Sequence, residues 1–201
     1  MPQRDDTLQA RLLARFAFLT PRAGAVDGSA AVNVPPENLL DFATVLRDEF
    51  HFDMLADLAG CDWGEAAAPR FGIVCHFCRA ETGEHLRVGC DAPDGTDEPE
   101  LPSLTPLHPA ANWFEREAFD MFGIRFRGHP DLRRILMWDG FDGHPLRKDF
   151  PLAGRETALP PADRSADART RIQPAPLVGG PFTAAAGTTM RTREPHAREQ
   201  H

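Results

Sequence analysis

Residues 71–91, FGIVCHFCRAETGEHLRVGCD, contain the clearest structural pattern of the chain. Two runs rich in β-branched, aromatic and cysteine side chains, 71–79 and 85–91, flank the connection Glu81-Thr82-Gly83-Glu84. Two such runs around a short glycine-containing loop predict a β-hairpin. We therefore expect an antiparallel pair of strands at the centre of the fold.

Shorter patterns before the hairpin predict further elements of the same domain. Apolar residues recur every three to four positions over 6–19 and 36–48, which predicts two amphipathic helices. Residues 31–34 and 52–61 have the composition of strands and are bounded by proline- or glycine-containing turns. With the hairpin, the first hundred residues therefore give two helices and four strands.

A third helix is predicted between a proline-containing start, at Thr105-Pro106 or His108-Pro109, and a stop at Gly123. The side chains that it directs to the core share helical spacing and are Phe114, Ala118, Met121 and Phe122. These elements predict an α+β fold. We expect a two-layer sandwich of a mostly antiparallel four-stranded sheet and about three helices, followed by an irregular extended C-terminal segment.

Composition divides the chain into three regions. Residues 1–124 hold the α+β domain. Residues 125–151 are interrupted repeatedly by glycine and proline and are interpreted as a loop-rich docking segment. Residues 152–201 have few large apolar side chains and no periodicity, which is typical of an extended or disordered tail that becomes ordered on a partner.

The distribution of charge argues against two classes of partner. The net charge is −8, and residues 1–100 carry 18 acidic against 8 basic side chains, whereas the last part of the chain is weakly basic. An acidic body does not fit a nucleic-acid binder or direct attachment to an anionic lipid surface. The polar N-terminus and the lack of an apolar run of ~18 residues predict a cytosolic protein without a signal peptide.

The cysteines could belong to the core or to a metal or redox site. Cys75 and Cys78 have CxxC spacing but lie in an apolar alternating run with no second such pair. A zinc ribbon requires a second pair, and a thioredoxin-like site requires the pair to open a helix. Core cysteines in a strand are therefore the favoured interpretation, with a metal or redox site as the alternative.

Residues 113–151, WFEREAFDMFGIRFRGHPDLRRILMWDGFDGHPLRKDFP, are too polar to be core and too rich in aromatic and aliphatic side chains to be disordered. A metal hydrolase would draw its ligands from their carboxylate and imidazole groups. These candidates are Glu115, Glu117, Asp120, His129, Asp131, Asp139, Asp142 and His144. The stretch lacks HxxxH and HxH spacing, and Glu115 and Glu117 point about 200° apart on a helix, so the pattern does not favour a metal site.

A docking surface explains the same charges better. Exposed ion pairs contribute only about 0–1 kcal/mol each, so stability is a weak reason to collect so many. Arg133-Arg134 and Arg147-Lys148-Asp149 suit contacts with carboxylates or carbonyls of a neighbour. An assembly surface is the favoured hypothesis, and an intramolecular structural region and an active site are the two alternatives.

Three ordered motifs in this stretch resemble the C subunit of the proton-pumping NADH:quinone oxidoreductase, the thirty-kilodalton subunit of respiratory complex I. The motifs are Glu115-Arg116-Glu117-x-x-Asp120-Met121-Phe122-Gly123-Ile124, Gly128-His129-Pro130-Asp131-Leu132-Arg133-Arg134-Ile135-Leu136, and Gly143-His144-Pro145-Leu146-Arg147-Lys148-Asp149-Phe150-Pro151. The resemblance extends more loosely over the α+β body, where Pro102-Ser103-Leu104 also fits. Trp138 stands where this family is expected to have proline, so the loop 138–142 is predicted to differ in shape.

The resemblance implies a non-catalytic assembly subunit in the hydrophilic arm of an enzyme that transfers electrons from NADH to quinone. The chain itself would bind no cofactor and no metal and hold no catalytic residue; FMN, iron–sulfur clusters, NADH and quinone would be bound elsewhere in the complex. The implied partners are the D subunit, a forty-nine-kilodalton protein, and neighbouring iron–sulfur subunits. The implied location is the cytoplasmic side of the cell inner membrane, peripheral and held there by partner subunits.

The resemblance also marks interface and signature residues. We expect four of them, Glu115, Arg116, Glu117 and Asp120, to hold the helix and the loop together. Arg133, Arg134, Arg147 and Lys148 are expected to face the partner. The remaining signature residues are Gly123, His129, His144 and Asp149.

Other functions remain open at this point. One alternative is the equivalent subunit of a related membrane-bound hydrogenase or of a ferredoxin or quinone oxidoreductase. The chain ends at His201 without a fused large domain, which favours a separate subunit. A stand-alone metal hydrolase and a soluble binding module with a disordered tail are more remote alternatives.

Overall fold

The computed structural model describes residues 5–22, 28–93, 95, 98–138 and 140–151. Within these ranges the chain forms helices α1 (Asp5–Arg15), α2 (Leu39–Asp48) and α3 (Ala111–Phe122), a 3₁₀ turn over Pro36–Asn38, and strands β1 (Thr20–Pro21), β2 (Ala30–Asn33), β3 (Met54–Asp62), β4 (Phe71–Arg79), β5 (Glu84–Asp91), β6 (Glu100–Pro102) and β7 (Arg125–Arg127). The tail 152–201 lies outside the described residues, so its ordering on a partner stays a prediction.

The predicted hairpin is β4 and β5. Cys75 lies opposite Val88, and the antiparallel register continues to Arg79 opposite Glu84. The backbone N–H of Gly83 closes the turn on the carbonyl of Arg79 at 2.8 Å. The hairpin prediction is therefore confirmed, with β5 starting one residue earlier than expected.

The main sheet has five strands in the order β1-β2-β5-β4-β3. The pairs β1–β2, β5–β4 and β4–β3 are antiparallel, whereas β2 and β5 are parallel. The α+β class and the mostly antiparallel sheet are confirmed, but the number of main-sheet strands is five rather than four. The sequence does not reveal β1 because it has two residues, one of them Pro21, and proline is tolerated only at a sheet edge.

The helices pack on one face of this sheet. Alternate residues of β4, Phe71, Ile73, Cys75 and Phe77, point to that face, as a two-residue period requires. They join one buried apolar cluster with side chains from all three helices, which are Leu8, Leu12, Leu39, Phe42, Ala43, Leu46, Ala111 and Ala118. The two-layer arrangement inferred from the sequence is the observed one.

Cys75 and Cys78 lie on opposite faces of β4, because they are three positions apart along a strand, and residues at an odd spacing point to opposite faces. Cys75 belongs to the helix-facing core, and Cys78 is buried against the other face. Burial raises the pKa of the Cys75 thiol well above its ordinary value. The two thiols therefore do not form a CxxC pair, and the interpretation as core cysteines is confirmed.

α3 lies directly on β3. A Cβ added at Gly60 of β3 would come within 2.6 Å of the Phe122 ring and 3.3 Å of the Cβ of Ala118. The glycine thus permits the close approach of helix and sheet. α3 begins at Ala111, later than predicted, because residues 104–108 form a turn in which the Leu107 amide donates to the Leu104 carbonyl. Its predicted end at Gly123 is correct.

A small second sheet connects the two ends of α3. β6 and β7 are parallel, with Leu101 opposite Phe126. Strands of three residues carry too little pattern to be recognised in a sequence, so neither was predicted. The pairing places the start of the docking segment, residues 125–151, beside the chain that enters α3. Among the described residues, none of the helices has the length and apolarity needed to cross a membrane.

Candidate functional site

α3 carries charged residues into the interior of the protein. Glu115 and Asp120 are fully buried, and Arg116 is nearly so. Glu117, which the helix directs about 200° away from Glu115, is exposed. The expectation that this stretch is too polar to be core is therefore wrong for the inner face of α3. The carboxylates stay buried because hydrogen-bond donors surround them.

The Asp120 carboxylate organises the docking segment. One oxygen, Oδ2, accepts hydrogen bonds from the consecutive backbone amides of Ile135, Leu136 and Met137 at 3.0, 2.7 and 2.9 Å. The other oxygen, Oδ1, accepts a bond from Nη1 of Arg134 at 3.3 Å. Amides that bond to an ionised carboxylate give stronger bonds than neutral pairs, so Asp120 fixes the path of residues 134–137.

The C-terminal end of α3 binds a second part of the segment through its backbone carbonyls. Nδ1 of His144 donates to the Asp120 carbonyl at 2.9 Å, and Nε of Arg147 donates to the Phe122 carbonyl at 2.6 Å. The Leu146 amide donates to the Met121 carbonyl at 3.1 Å. These carbonyls lack partners within the helix. The positive charge of Arg147 also interacts favourably with the negative C-terminal end of the helix dipole. Burial lowers the pKa of His144, against the raising effect of its bond to Asp120.

Gly123 is required where the segment crosses the helix end. Its φ of 76° is in the left-handed region, where side chains are strained. A Cβ at this position would also come within 2.5 Å of Nη2 of Arg147 and 2.6 Å of Nε2 of His144. The glycine of the signature therefore ends the helix and makes room for the two side chains that bind its carbonyls.

Asp62, at the end of β3, anchors the last residues of the segment. Arg70 donates to both of its oxygens, at 3.1 and 2.9 Å, and the Gly64 and Lys148 amides donate at 2.9 and 2.8 Å. Burial acts to raise the pKa of Asp62. The hydrogen bonds from Arg70, Lys148 and Gly64 outweigh this effect, so the net result is a pKa lowered to about 2. Arg70 also forms an ion pair with Asp149 at 2.9 Å.

Two further signature residues bind the segment near its start. Nε2 of His129 lies 3.2 Å from the Asn112 carbonyl, while its Nδ1 accepts a bond from the Asp131 amide at 3.0 Å. His129 therefore carries its proton on Nε2. Nε of Arg116 donates to the Arg133 carbonyl at 3.2 Å. The same helix thus holds the segment at three places, near residues 129, 135 and 146.

Of the four cations expected at a partner interface, two bond within the chain and two are exposed to solvent. Arg134 bonds within the chain to Asp120 and to the Gly143 carbonyl. Arg147 bonds to the Phe122 carbonyl and lies 4.7 Å from the Phe71 ring centroid. Arg133 is 72% exposed and pairs with Asp131, and the side chain of Lys148 is exposed. Arg133 and Lys148 are therefore the two that extend toward solvent.

The anchored segment exposes apolar side chains. Leu136 is 55% exposed, Leu146 54% and Trp138 39%. Trp138 meets Phe141 edge to face with ring centroids 4.8 Å apart, and Phe141 stacks on Phe150 at 6.0 Å. We call these five residues the apolar docking face. Its backbone is fixed by Asp120 at one end and Asp62 at the other.

Several residues of the site are outside the signature. Asp62 and Arg70 form the second anchor, and Ser103 and the Leu104 amide bind Glu115. Asp62 has a local signal, because aspartate two residues before a glycine commonly accepts a bond from the glycine amide. Arg70 and Ser103 have no such signal, since their carboxylate partners lie 8 and 12 residues away on other elements of the fold.

The candidate metal ligands do not converge. Across the described ranges, which omit Asp139, no group of three His, Cys, Asp or Glu side chains is placed to hold a metal ion. Glu115 is buried in the helix-facing core, and Glu117 is directed to solvent. That the chain binds no cofactor or metal stays a prediction.

Comparisons with known proteins agree with the signature. Residues 32–156 match the family described as the respiratory-chain NADH dehydrogenase, 30 Kd subunit. The chain is 42% identical over 155 residues to the NADH-quinone oxidoreductase C 2 subunit of Rhizobium etli strain CIAT 652, covering 76% of this chain and 81% of the relative. It is 44% identical over 161 residues to the C subunit of the same enzyme from Burkholderia multivorans, covering 77% and 80%.

Two solved structures share the fold. A trypsin-resistant fragment (1–134) of Nqo5 superposes with a TM-score of 0.51 at 28% identity, covering 66% of this chain and all of the fragment. A chain of the membrane-bound sulfane sulfur reductase, an archaeal respiratory membrane complex, gives a TM-score of 0.61 at 20% identity, covering 75% of this chain and 87% of that chain. At that identity the second match concerns the fold alone.

The first prediction concerns Asp120. Asp120→Asn should lower the free energy of unfolding by about 3 kcal/mol, because it removes the buried charge that three amides and Arg134 share. The matched control is Asp131→Asn, an exposed partner of Arg133, which should cost about 0–1 kcal/mol. Urea unfolding measures both. Equal losses, or unchanged hydrogen exchange of the Leu136 amide in Asp120→Asn, would contradict the role given to Asp120.

The second prediction concerns the pH dependence of stability. The pKa of Asp62 is about 2 in the folded protein and 3.8 without its partners, so its stabilising contribution is present above pH 4 and is lost as pH falls through 2. The contribution is at most about 2 kcal/mol. Asp62→Asn should therefore show a shallower fall in stability between pH 5 and pH 2 than the unsubstituted chain. Parallel profiles for the two proteins would show that the anchor does not depend on this charge.

Proposed function

This chain belongs to the family of the 30 Kd subunit of the respiratory-chain NADH dehydrogenase, and we propose that it serves as a non-catalytic assembly subunit of a proton-translocating NADH:quinone oxidoreductase. It takes part in enzyme activity only as a component of the complex. Electrons pass from NADH to quinone through FMN and iron–sulfur clusters that other subunits hold, and this chain binds none of them.

The apolar docking face is the observation that supports an assembly role best. Three of the large apolar side chains that are exposed in the described part of the chain, Leu136, Trp138 and Leu146, lie in this one segment. Such grouping is typical of a protein–protein interface. The buried carboxylates of Asp120 and Asp62 fix the backbone that carries them. A partner therefore binds a segment that is already ordered, and association loses less conformational entropy than with a flexible loop.

The chemistry of the face indicates the chemistry of the partner. Leu136, Leu146 and Trp138 require an apolar surface opposite them. Arg133 and Lys148 extend from the same segment toward solvent, and carboxylates or helix C-terminal carbonyls of the partner are suitable acceptors for them. The partner that we propose is the forty-nine-kilodalton D subunit, with iron–sulfur subunits of the hydrophilic arm as further neighbours.

We also propose that the chain is peripheral, on the cytoplasmic side of the cell inner membrane, and is held there through partner subunits. The acidic body, with 18 acidic and 8 basic side chains over residues 1–100, does not favour direct contact with anionic lipid. Attachment through other subunits needs no lipid-binding surface on this chain.

Identities of 42% and 44% to NADH-quinone oxidoreductase subunits favour this function over the alternatives. A subunit of a related hydrogenase or ferredoxin oxidoreductase would share the fold, as the archaeal complex does at 20% identity. A stand-alone metal hydrolase would need converging ligands, which the carboxylates of α3 do not provide.

The third prediction tests the apolar docking face. Leu136→Ala combined with Leu146→Ala should weaken co-purification of the forty-nine-kilodalton partner with the tagged full chain from mild-detergent extracts by roughly tenfold or more, because burial of each leucine contributes about 1.5–3 kcal/mol. The melting temperature of the purified variant should stay within a few degrees, since both side chains are exposed. Met54→Ala is the matched control, since Met54 is 46% exposed on β3 and outside the docking segment. Equal recovery of the partner with both variants would refute the proposal.

The fourth prediction separates interface arginines from structural ones. Arg133→Ala should reduce recovery of the complex while leaving the melting temperature of the isolated chain unchanged. Arg147→Ala should lower the melting temperature, because the Phe122 carbonyl and the Phe71 ring lose their partner. Thermal unfolding and native purification distinguish the two. A stable Arg147→Ala chain, or a destabilised Arg133→Ala chain, would reverse the assignment.

A further inference from the structure

The proposed assembly role assigns no function to the buried carboxyl group of Glu115. It is fully buried, and within the described part of the chain each of its two oxygens has one hydrogen-bond partner. Oε1 accepts a bond from the Leu104 amide at 2.6 Å, and Oε2 lies 2.7 Å from Oγ of Ser103. Neither partner is a cation. Asp120, five residues later on the same helix, differs in this respect. Its carboxylate accepts hydrogen bonds from three backbone amides and from a cation, Arg134.

Among the charged side chains that the structure describes, none supplies a compensating charge next to Glu115. The Cys75 thiol of β4, with which Glu115 interacts electrostatically, adds no positive charge, and burial raises the pKa of this thiol well above its ordinary value. On its own helix, Arg116 turns to the Arg133 carbonyl and Glu117 is exposed. The charged groups of neighbouring β3 and β7 are paired elsewhere, in Asp57–His76, Asp62–Arg70, Arg125–Glu98 and Arg127–Glu100.

Burial without a cation favours the protonated carboxyl. It raises the pKa of Glu115 to about 7, and the bonds from Ser103 and Leu104 oppose that rise only in part. A carboxyl with this pKa changes its charge close to neutral pH, which an ordinary glutamate does not do. Because the side chain of Glu115 has no exposed surface, a proton can reach it only through other groups of the protein.

Two hydroxyl groups form a path from Glu115 to the surface. Oγ of Ser103 lies 2.7 Å from Oγ1 of Thr105, and either atom can donate. Ser103 is buried, whereas Thr105 is partly exposed. A hydroxyl both donates and accepts, so the row of bonds can reverse its direction. When Glu115 is ionised, Ser103 donates to it; when Glu115 is protonated, it donates to Ser103, which then donates to Thr105.

We propose that Glu115 is a buried proton-binding site that exchanges its proton with solvent through the hydroxyls of Ser103 and Thr105. On uptake, Thr105 receives a proton from a hydronium ion in the solvent, which becomes water, and passes its own to Ser103, and Ser103 passes its own to the carboxylate. One proton is bound, each hydroxyl ends with one proton, and the direction of the two hydrogen bonds is reversed. Release follows the same path in the opposite direction.

The site lies next to the start of the docking segment. Ser103 directly follows β6, and its amide donates to the Arg127 carbonyl at the end of β7 at 2.9 Å. The hydrogen bonds that reverse on protonation therefore belong to the connection that joins β7, β6 and α3. This inference does not depend on the identity of the partner protein.

The fifth prediction is tested by infrared titration of the purified full chain between pH 5 and pH 9. The unsubstituted chain should show a protonated-carboxyl C=O band that disappears with a midpoint near pH 7, and Glu115→Gln should lack it. Glutamine keeps the size of the side chain, accepts from the Leu104 amide and donates to Ser103, so it imitates the protonated state. Glu117→Gln, the exposed control on the same helix, should retain the band and its midpoint. A protonated-carboxyl band that does not change between pH 6 and pH 8, or a band with a midpoint near pH 7 that persists in Glu115→Gln, would overturn the proposal.

The path has its own test. In Thr105→Val the equilibrium midpoint should change little, because Thr105 does not touch Glu115, whereas the rate at which the band responds to a pH jump should fall. A response at the unsubstituted rate would exclude the route through Thr105. If Glu115→Gln fails to fold, NMR of the unsubstituted chain labelled with ¹³C at the glutamate carboxyls gives the midpoint directly, and the absence of a glutamate titrating near pH 7 would refute the site.

Discussion

The consecutive amides of Ile135, Leu136 and Met137 converge on one oxygen of the buried Asp120 carboxylate, and the conformation of the docking segment depends on this contact. The segment has little apolar surface of its own to bury, since Leu136 and Leu146 point to solvent. Hydrogen bonds to a charged group replace the hydrophobic contacts that would otherwise order such a chain. The fully buried position of Asp120 on α3 makes these bonds stronger than they would be at the surface.

The second anchor extends the same principle to the end of the segment. Asp62 receives Arg70 from the body and the Lys148 amide from the segment, so one carboxylate links residues far apart in sequence. Between the anchors, the carbonyls at the end of α3 bind His144 and Arg147. A rigid α+β body thus gives an irregular segment a single conformation, which is the property that a preformed docking surface needs.

Family membership and geometry contribute different parts of the functional conclusion. The match over residues 32–156 identifies the complex to which this family belongs. The geometry divides the signature residues into two groups. Those that order the segment from within are Arg116, Asp120, Gly123, His129, Arg134, His144 and Arg147, whereas Arg133 and Lys148 extend outward. Glu115 belongs to neither group, because its buried carboxyl is bonded to Ser103 and to the Leu104 amide in the connection before α3, and neither of these partners is a cation.

The sequence by itself determined the elements whose causes are local. The β4–β5 hairpin follows from two strand-like runs around a glycine-containing loop, and the end of α3 follows from Gly123. Tertiary structure alone decided which charges are buried and what they bind. Periodicity locates the apolar face of α3 but cannot show that Glu115 and Asp120 lie beside it, because burial of a carboxylate depends on donors supplied by distant segments. For the same reason the contacts of Arg70 and Ser103 and the parallel pairs β2–β5 and β6–β7 were not foreseen, since each is defined by a partner on another element of the fold.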